Sequence, residues 1–253
     1  MSAFDRRSAI LGYLKQQGRA STHELSAYFG VSEVTVRTDL EQLERTGWLA
    51  RRHGGAEVLQ APQPEQHFAL RTALHAAEKE KIAAAAVLII QPGDHIVLDG
   101  STTAYHLAQQ MVQRRDLTVI TNNFQVAALL AGNRELDVLL IGGLVRGDTW
   151  STVGVLAEDM VGHLHARRGF FGAAGLSTER GLTDADVREV QIKRVLVRAV
   201  DEVNVLLDSS KFGQHALLTF AELDQLQHLF TDRGITSADA ALCREHGIRV
   251  TVA

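Results

Sequence analysis

Apolar residues in the first fifty positions recur at helical spacing. Ile10, Leu11 and Leu14 form one stripe, which Gly18 closes. The segment STHE at 21–24 has the form of a capping box and opens a second helix with Leu25, Tyr28 and Phe29 facing inward. After a tight turn at Gly30 and Val31, Ser32 caps a third helix, in which Val36, Leu40 and Leu43 fall within about 60° of one another. Gly47 closes that helix, and 48–56 reads as strand, glycine turn and returning strand. Further on the pattern changes. Short β-like apolar runs at 96–99, 118–121, 138–141, 170–173, 203–208, 228–231 and 249–252 alternate with helical stretches, which predicts a mostly parallel sheet covered by helices.

Between the two patterns lies the polar segment QAPQPEQ at 60–66. Its Pro62 and Pro64 oppose helix continuation and stiffen an extended connection. The expected organisation is therefore a winged helix-turn-helix at 1–58, a linker at 59–72 and an α/β domain at 73–253, an α/β chain overall. The third helix presents Val34, Arg37, Thr38, Glu41 and Gln42 on its open face, with Thr35 at the edge. A helix in the major groove reads bases with residues near its N-terminus, so Ser32, Thr35, Arg37 and Thr38 are the candidate DNA contacts. Arg51, Arg52 and His53 in the wing are candidates for the phosphates or the minor groove. Glu41 is expected to point along the groove or to pair with Arg45 one turn on. A protein-binding winged helix with solvated arginines is the competing reading.

In the second half, VLDGSTTA at 97–104 runs from a strand through a hydroxyl-rich loop into a helix expected at 104–113. Backbone N–H groups, the helix dipole and the hydroxyls there suit an anion, phosphate above all. Other strand ends carry Asn122, the pair Gly142 and Gly143, and Lys211 in the segment DSSKFG at 208–213. Ligands of open α/β sheets sit beyond the carboxyl ends of the strands. The candidate effector residues are thus Asp99, Ser101, Thr102, Thr103, Asn122, Gly142, Gly143, Asp186, Glu189 and Lys211. Each has an ordinary reading as a cap or turn, and Glu189 with Lys193 also reads as a surface pair one helical turn apart.

Composition narrows the classes. With 45% hydrophobic and 22% charged residues over 253 positions, the chain reads as a globular protein with one small and one medium domain. The net charge is −4, but residues 1–60 hold eight Lys and Arg against seven Asp and Glu (+1), leaving −5 for the rest, so the DNA argument rests on pattern. A single cysteine, Cys243, fits a reducing compartment, and no metal site or cofactor is expected. Of eleven histidines the closest pair, His163 and His165, is expected to point apart on a helix. The N-terminus lacks a signal-peptide core, and the longest apolar stretch, 82–90, is too short for a bilayer, so a cytoplasmic protein with no membrane partner is expected.

The strings VSEVTVRTDLEQL at 31–43 and RRHGGA at 51–56 resemble the DeoR family of bacterial sugar-metabolism repressors, although the family carries a second basic residue where this chain has Thr38. The resemblance continues through DGSTT at 99–103, TNN at 121–123, Gly142 and Gly143, Glu189 with Lys193, and DSSKFG at 208–213. It implies a sensor domain similar in fold to ribose-5-phosphate isomerase, glucosamine-6-phosphate deaminase and CoA transferases. It also implies repression of a carbohydrate operon, relieved by a phosphorylated sugar. Reading a palindromic double-stranded operator needs a homo-oligomer of at least two copies. An isomerase-like enzyme, with Glu189 or Asp186 as base and Lys211 stabilising an enediolate, is the less favoured alternative, because fold does not imply function. A protein-binding scaffold would leave the recognition face and the anion loop unused.

Overall fold

The computed structural model describes residues 3–45, 49–52, 54–58 and 64–253. Gly47, Trp48, His53 and Pro62 lie outside these, as do the side chains of Leu11, Gln42, Arg45 and Arg52. Two compact units divide between Leu74 and His75.

The first unit contains α1 (Ala3–Gln17), β1 (Arg19–Ser21), α2 (Thr22–Phe29), α3 (Glu33–Arg45), β2 (Leu49–Arg52), β3 (Gly55–Val58) and α4 (Pro64–Ala73). Ser21 and Glu24 close the capping box in both directions: Ser21 Oγ accepts from Glu24 N at 3.1 Å, and Ser21 N donates to Glu24 Oε2 at 2.7 Å. Gly30 ends α2 at φ 65°, a conformation that favours glycine. Ile10, Leu14, Leu25, Val36, Leu40 and Leu43 are buried and pack with Leu49 and Ala56 of the wing into one core. Tyr28 is the exception. It is 66% exposed rather than inward, because Leu25 fills the inner face of so short a helix, and its ring rests against Tyr13 at 4.6 Å. The wing turns at Gly54 (φ 80°), and β3 is flanked by β2 and by β1, an antiparallel third strand absent from the sequence reading. Pro64 opens α4 instead of stiffening an extended connection, since a first helical position leaves unused the N–H that proline lacks.

The second unit contains α5 (Ala76–Ala86), β4 (His95–Leu98), α6 (Thr102–Met111), β5 (Leu117–Thr121), α7 (Phe124–Leu130), β6 (Leu136–Leu140), β7 (Leu144–Arg146), β8 (Ser151–Val153), α8 (Val155–Gly162) and β9 (Ala166–Phe171). It continues with β10 (Gly175–Ser177), β11 (Gly181–Asp184), α9 (Val187–Arg198), β12 (Val200–Leu206), β13 (Leu218–Ala221), β14 (His228–Thr231), α10 (Ser237–Glu245) and β15 (Arg249–Val252). The seven expected strands form one parallel sheet in the order β15-β14-β12-β9-β4-β5-β6. Successive side chains serve opposite layers. Ile96, Leu98 and Phe170 enter one core, and Val97 and Phe171 the other. Burial on both faces explains why these strands read as continuous apolar runs. The sequence did not foreshadow the antiparallel sheet β10-β11-β13 or the β7-β8 hairpin, whose three- and four-residue strands are too short for a period. From β4 the chain proceeds to β5 and β6 on one side, while β9, β12, β14 and β15 lie on the other, so the order reverses between β4 and β9. A crevice forms outside the strand ends at such a reversal. No helix among the described residues is long and apolar enough to cross a membrane.

Candidate functional site

In the first unit Val34, Arg37 and Thr38 stand exposed on α3, with Thr35 and Glu41 half-buried beside them. Ser32 caps the helix by accepting from Thr35 N at 3.1 Å. The helix is anchored from behind by a buried pair, Arg6 Nε to Asp39 Oδ2 at 2.6 Å. The open face is less cationic than its sequence suggests. Arg37 reaches Glu33 at 3.3 Å, and the wing's Arg51 reaches Glu41 at 2.8 Å and donates its backbone N–H to Glu44 at 2.9 Å. Glu41 thus pairs across to the wing, because the β2-β3 hairpin brings Arg51 alongside α3. The arginines are held to carboxylates by exposed, exchangeable bridges and can be transferred to phosphates.

In the second unit a buried polar cluster lies where β4 and β9 end. Asp99, fully buried, accepts from Ser101 N at 3.0 Å and from Gly172 N at 3.1 Å. Lys193 of α9 places Nζ 3.1 Å from Asp99 Oδ2 and 2.8 Å from Asp184 Oδ2, and donates to Gly172 O at 2.7 Å. Burial disfavours its charge, but Asp184, Asp99 and Glu189 outweigh burial and hold the ammonium's pKa above its ordinary value. Glu189, also buried, accepts at Oε1 from Thr149 Oγ1 at 3.0 Å, from Ser151 Oγ, and from Arg146 Nη1 at 3.2 Å. Arg146 pairs in addition with Asp148 at 2.6 Å and Asp186 at 3.3 Å. Asp186 caps α9 by accepting from Arg188 N at 2.9 Å and Glu189 N at 3.2 Å.

Ser101 caps α6 by accepting from Ala104 N at 3.2 Å, so α6 begins at Thr102, two residues earlier than expected. The N–H groups of Thr102 and Thr103 have no acceptor among the described residues, as a first turn requires. Gly172 must be glycine here, because a Cβ would stand 2.6 Å from Ser101 Oγ.

The fold therefore gathers Asp99, Ser101, Thr102, Thr103, Asn122, Asp186 and Glu189 around the ends of β4, β5 and α9. Gly142 is exposed with nothing within 4 Å of the place a Cβ would take, and Gly143 beside it packs closely. Gly143, at φ 142°, lies where a Cβ would come within 2.9 Å of Val153 O and of Ala157 Cβ, so its close approach is to β8 and α8. Lys211 sits half-buried in the turn Ser209–Lys211 and makes no ion pair with a described residue. Glu189 and Lys193 are core members rather than a surface pair, since both face inward from α9. Sequence reasoning missed Arg146, Thr149 and Ser151, which lie in short irregular strands and turns without a readable period, whereas Asp184 belongs to the acidic segment 181–186 that leads into α9. His163 caps the end of α8 and His165 faces Asp201 at 3.2 Å, both exposed.

Residues 6–61 match the family model described as DeoR-like helix-turn-helix domain, and residues 74–233 the one described as DeoR C terminal sensor domain. The chain is 32% identical over 253 residues to the HTH-type transcriptional regulator GolR of Listeria innocua, covering 100% of each. It is 30% identical over 232 residues, 92% of each, to the glycerol-3-phosphate regulon repressor of Escherichia coli K12. Among solved structures, ribose 5-phosphate isomerase A of Methanocaldococcus jannaschii aligns with 53% of each chain at 19% identity and a TM-score of 0.39.

Proposed function

Because the chain belongs to the DeoR family of helix-turn-helix transcriptional regulators, we propose that it represses a carbohydrate-metabolism operon and leaves its operator when a phosphorylated sugar occupies the cluster around Asp99. It is a regulator rather than an enzyme, as its relatives are named. The reading of the effector is carried by one observation: the open first turn of α6, with the hydroxyls of Ser101, Thr102 and Thr103, stands beside buried carboxylates at the sheet's reversal point. Helix N–H groups suit a phosphate, and carboxylates suit sugar hydroxyls. Asp99, Asp184, Asp186 and Glu189 outnumber Lys193 and Arg146, so the phosphate belongs at the α6 end, with Lys211 as its added cation.

Ser32, Thr35, Arg37 and Thr38 then read bases, and Arg51, Arg52 and His53 serve the backbone of operator DNA in the cytoplasm. Two readers on a palindrome require at least two copies. Leu144, Val145, Val155 and Leu156, all more than half exposed at the open edge of β7 and the start of α8, support contact with a second copy. The effector acts by binding better to the arrangement of copies that holds DNA weakly.

The test is a gel shift on the promoter region of the protein's own gene neighbourhood, titrated with glycerol 3-phosphate, ribose 5-phosphate, glucose 6-phosphate, fructose 6-phosphate and the matching unphosphorylated compounds. Release by one phosphate and not by its parent compound supports the reading. Lys211→Ala should then keep DNA affinity and lose release. Absence of DNA binding at low salt would overturn the repressor reading.

A further inference from the structure

Two acceptors, one carboxamide and one carboxylate oxygen, receive no donor from a described residue and face Gly100, and one of them, Asn122 Oδ1, is fully buried. Asn122 Nδ2 donates to Thr152 O at 3.0 Å, and because that carbonyl can only accept, the amide is fixed with Oδ1 turned inward. Oδ1 is buried and has no hydrogen-bond partner, in a side chain 1% exposed. On Glu189 the donors among the described residues, Thr149, Ser151 and Arg146, all crowd onto Oε1 and leave Oε2 without one, at the part of the side chain that solvent still reaches. Both oxygens border the position that a side chain on residue 100 would fill: a Cβ there would touch them, 3.7 Å from Asn122 Oδ1 and 3.8 Å from Glu189 Oε2, with Ser151 Cβ at 3.3 Å. Gly100 has no positive φ, so its backbone does not demand glycine. What the missing side chain provides is room. Leaving a buried acceptor unmade is costly, so Asn122 Oδ1 calls for a donor, and Glu189 Oε2 faces the same place and can share it.

We propose that this acceptor pair over Gly100 selects the effector by taking a hydrogen-bond-donating substituent of its carbon skeleton, a hydroxyl or an ammonium, while the phosphate lies at the α6 N-terminus. The inference rests on the effector reading above and adds the residues that tell one sugar phosphate from another. The pair rejects an analogue lacking the donor, because the buried Asn122 oxygen is then left unpaired.

The test is calorimetric titration of the full chain with inorganic phosphate, glycerol 3-phosphate, glucose 6-phosphate, fructose 6-phosphate and glucosamine 6-phosphate. Wild type is compared with Gly100→Ala, which fills the gap, and Glu189→Gln, which can place an N–H₂ where Oε2 stood. The alanine Cβ would be 3.3 Å from Ser151 Cβ, a tight contact that small shifts relieve, and unchanged thermal unfolding checks the fold. The expected result is at least a tenfold loss of affinity for the best organic phosphate in both variants, with inorganic phosphate unchanged. Tighter wild-type binding of glucosamine 6-phosphate than glucose 6-phosphate identifies the donor as an ammonium, and the reverse order as a hydroxyl. If Gly100→Ala binds the organic phosphate as wild type does, the pair holds only water and the inference falls while the effector reading stands. If wild type binds none of the probes, the effector reading falls and takes this inference with it.

Discussion

The ammonium of Lys193 lies 3.1 Å from the carboxylate of Asp99 with both side chains buried, so α9 is tied to the end of β4 by charge. The same ammonium holds Asp184 and the carbonyl of Gly172, which makes one cation the centre of the cluster. Removing one member of a buried pair strands the other. Lys193→Met should therefore destabilise the second unit by about 3–5 kcal/mol in urea unfolding, and a loss below about 1 kcal/mol would show that Asp99 does not depend on it.

The alkaline limb of stability follows from the same contact. The folded pKa of Lys193 is raised above 10.5, so its contribution is complete below that value and disappears only as pH rises beyond it. Unfolding midpoints from pH 7 to 9 should show no lysine-dependent slope, whereas a fall in this range that Lys193→Met removes would contradict the assignment.

Acid should act through His228. Burial chiefly, and then the charge of Arg249, lower its pKa from 6.5 to about 4. The folded state resists protonation that the unfolded chain accepts, so stability should decline as pH falls from about 6.5 to about 4 and lose nothing further through this group below that. His228→Gln should flatten that part of the unfolding profile. An unchanged slope would remove His228 from the acid response.

On the reader, the one ion pair of Arg37 among the described residues is with a solvent-accessible carboxylate, Glu33. Arg37→Ala should leave the melting temperature nearly unchanged and weaken operator binding by about 1–3 kcal/mol, roughly five- to a hundred-and-fiftyfold. Equal operator affinity in a gel shift would refute the recognition-face assignment.

At the start of α8, the double change Val155→Asp with Leu156→Asp places charge on two side chains that are 79% and 77% exposed. Sedimentation should show smaller species and intact folding, with operator affinity falling because paired readers are lost. A wild-type oligomer distribution would place the contact between copies elsewhere.

The periodicity of the sequence by itself determined the two architectures. The stripe of Val36, Leu40 and Leu43, the capping box at Ser21 and Glu24, and the seven apolar runs are local signals, set by backbone geometry and by burial, and the fold follows them. The hydroxyl loop after β4 was legible too, because a cap is a contact over three residues. Only the tertiary structure decided how charges are partnered. Asp99 meets Lys193 across 94 positions and Glu189 meets Ser151 across 38, separations at which sequence carries no geometric signal. Arg51 reaches Glu41 across ten positions because a hairpin folds back onto α3. The same holds for Gly100 and Gly143, one open to a gap between two oxygens and the other packed against β8 and α8. Their roles depend on what stands opposite the missing side chain, and that neighbour is supplied by sheet order and helix packing rather than by adjacent residues.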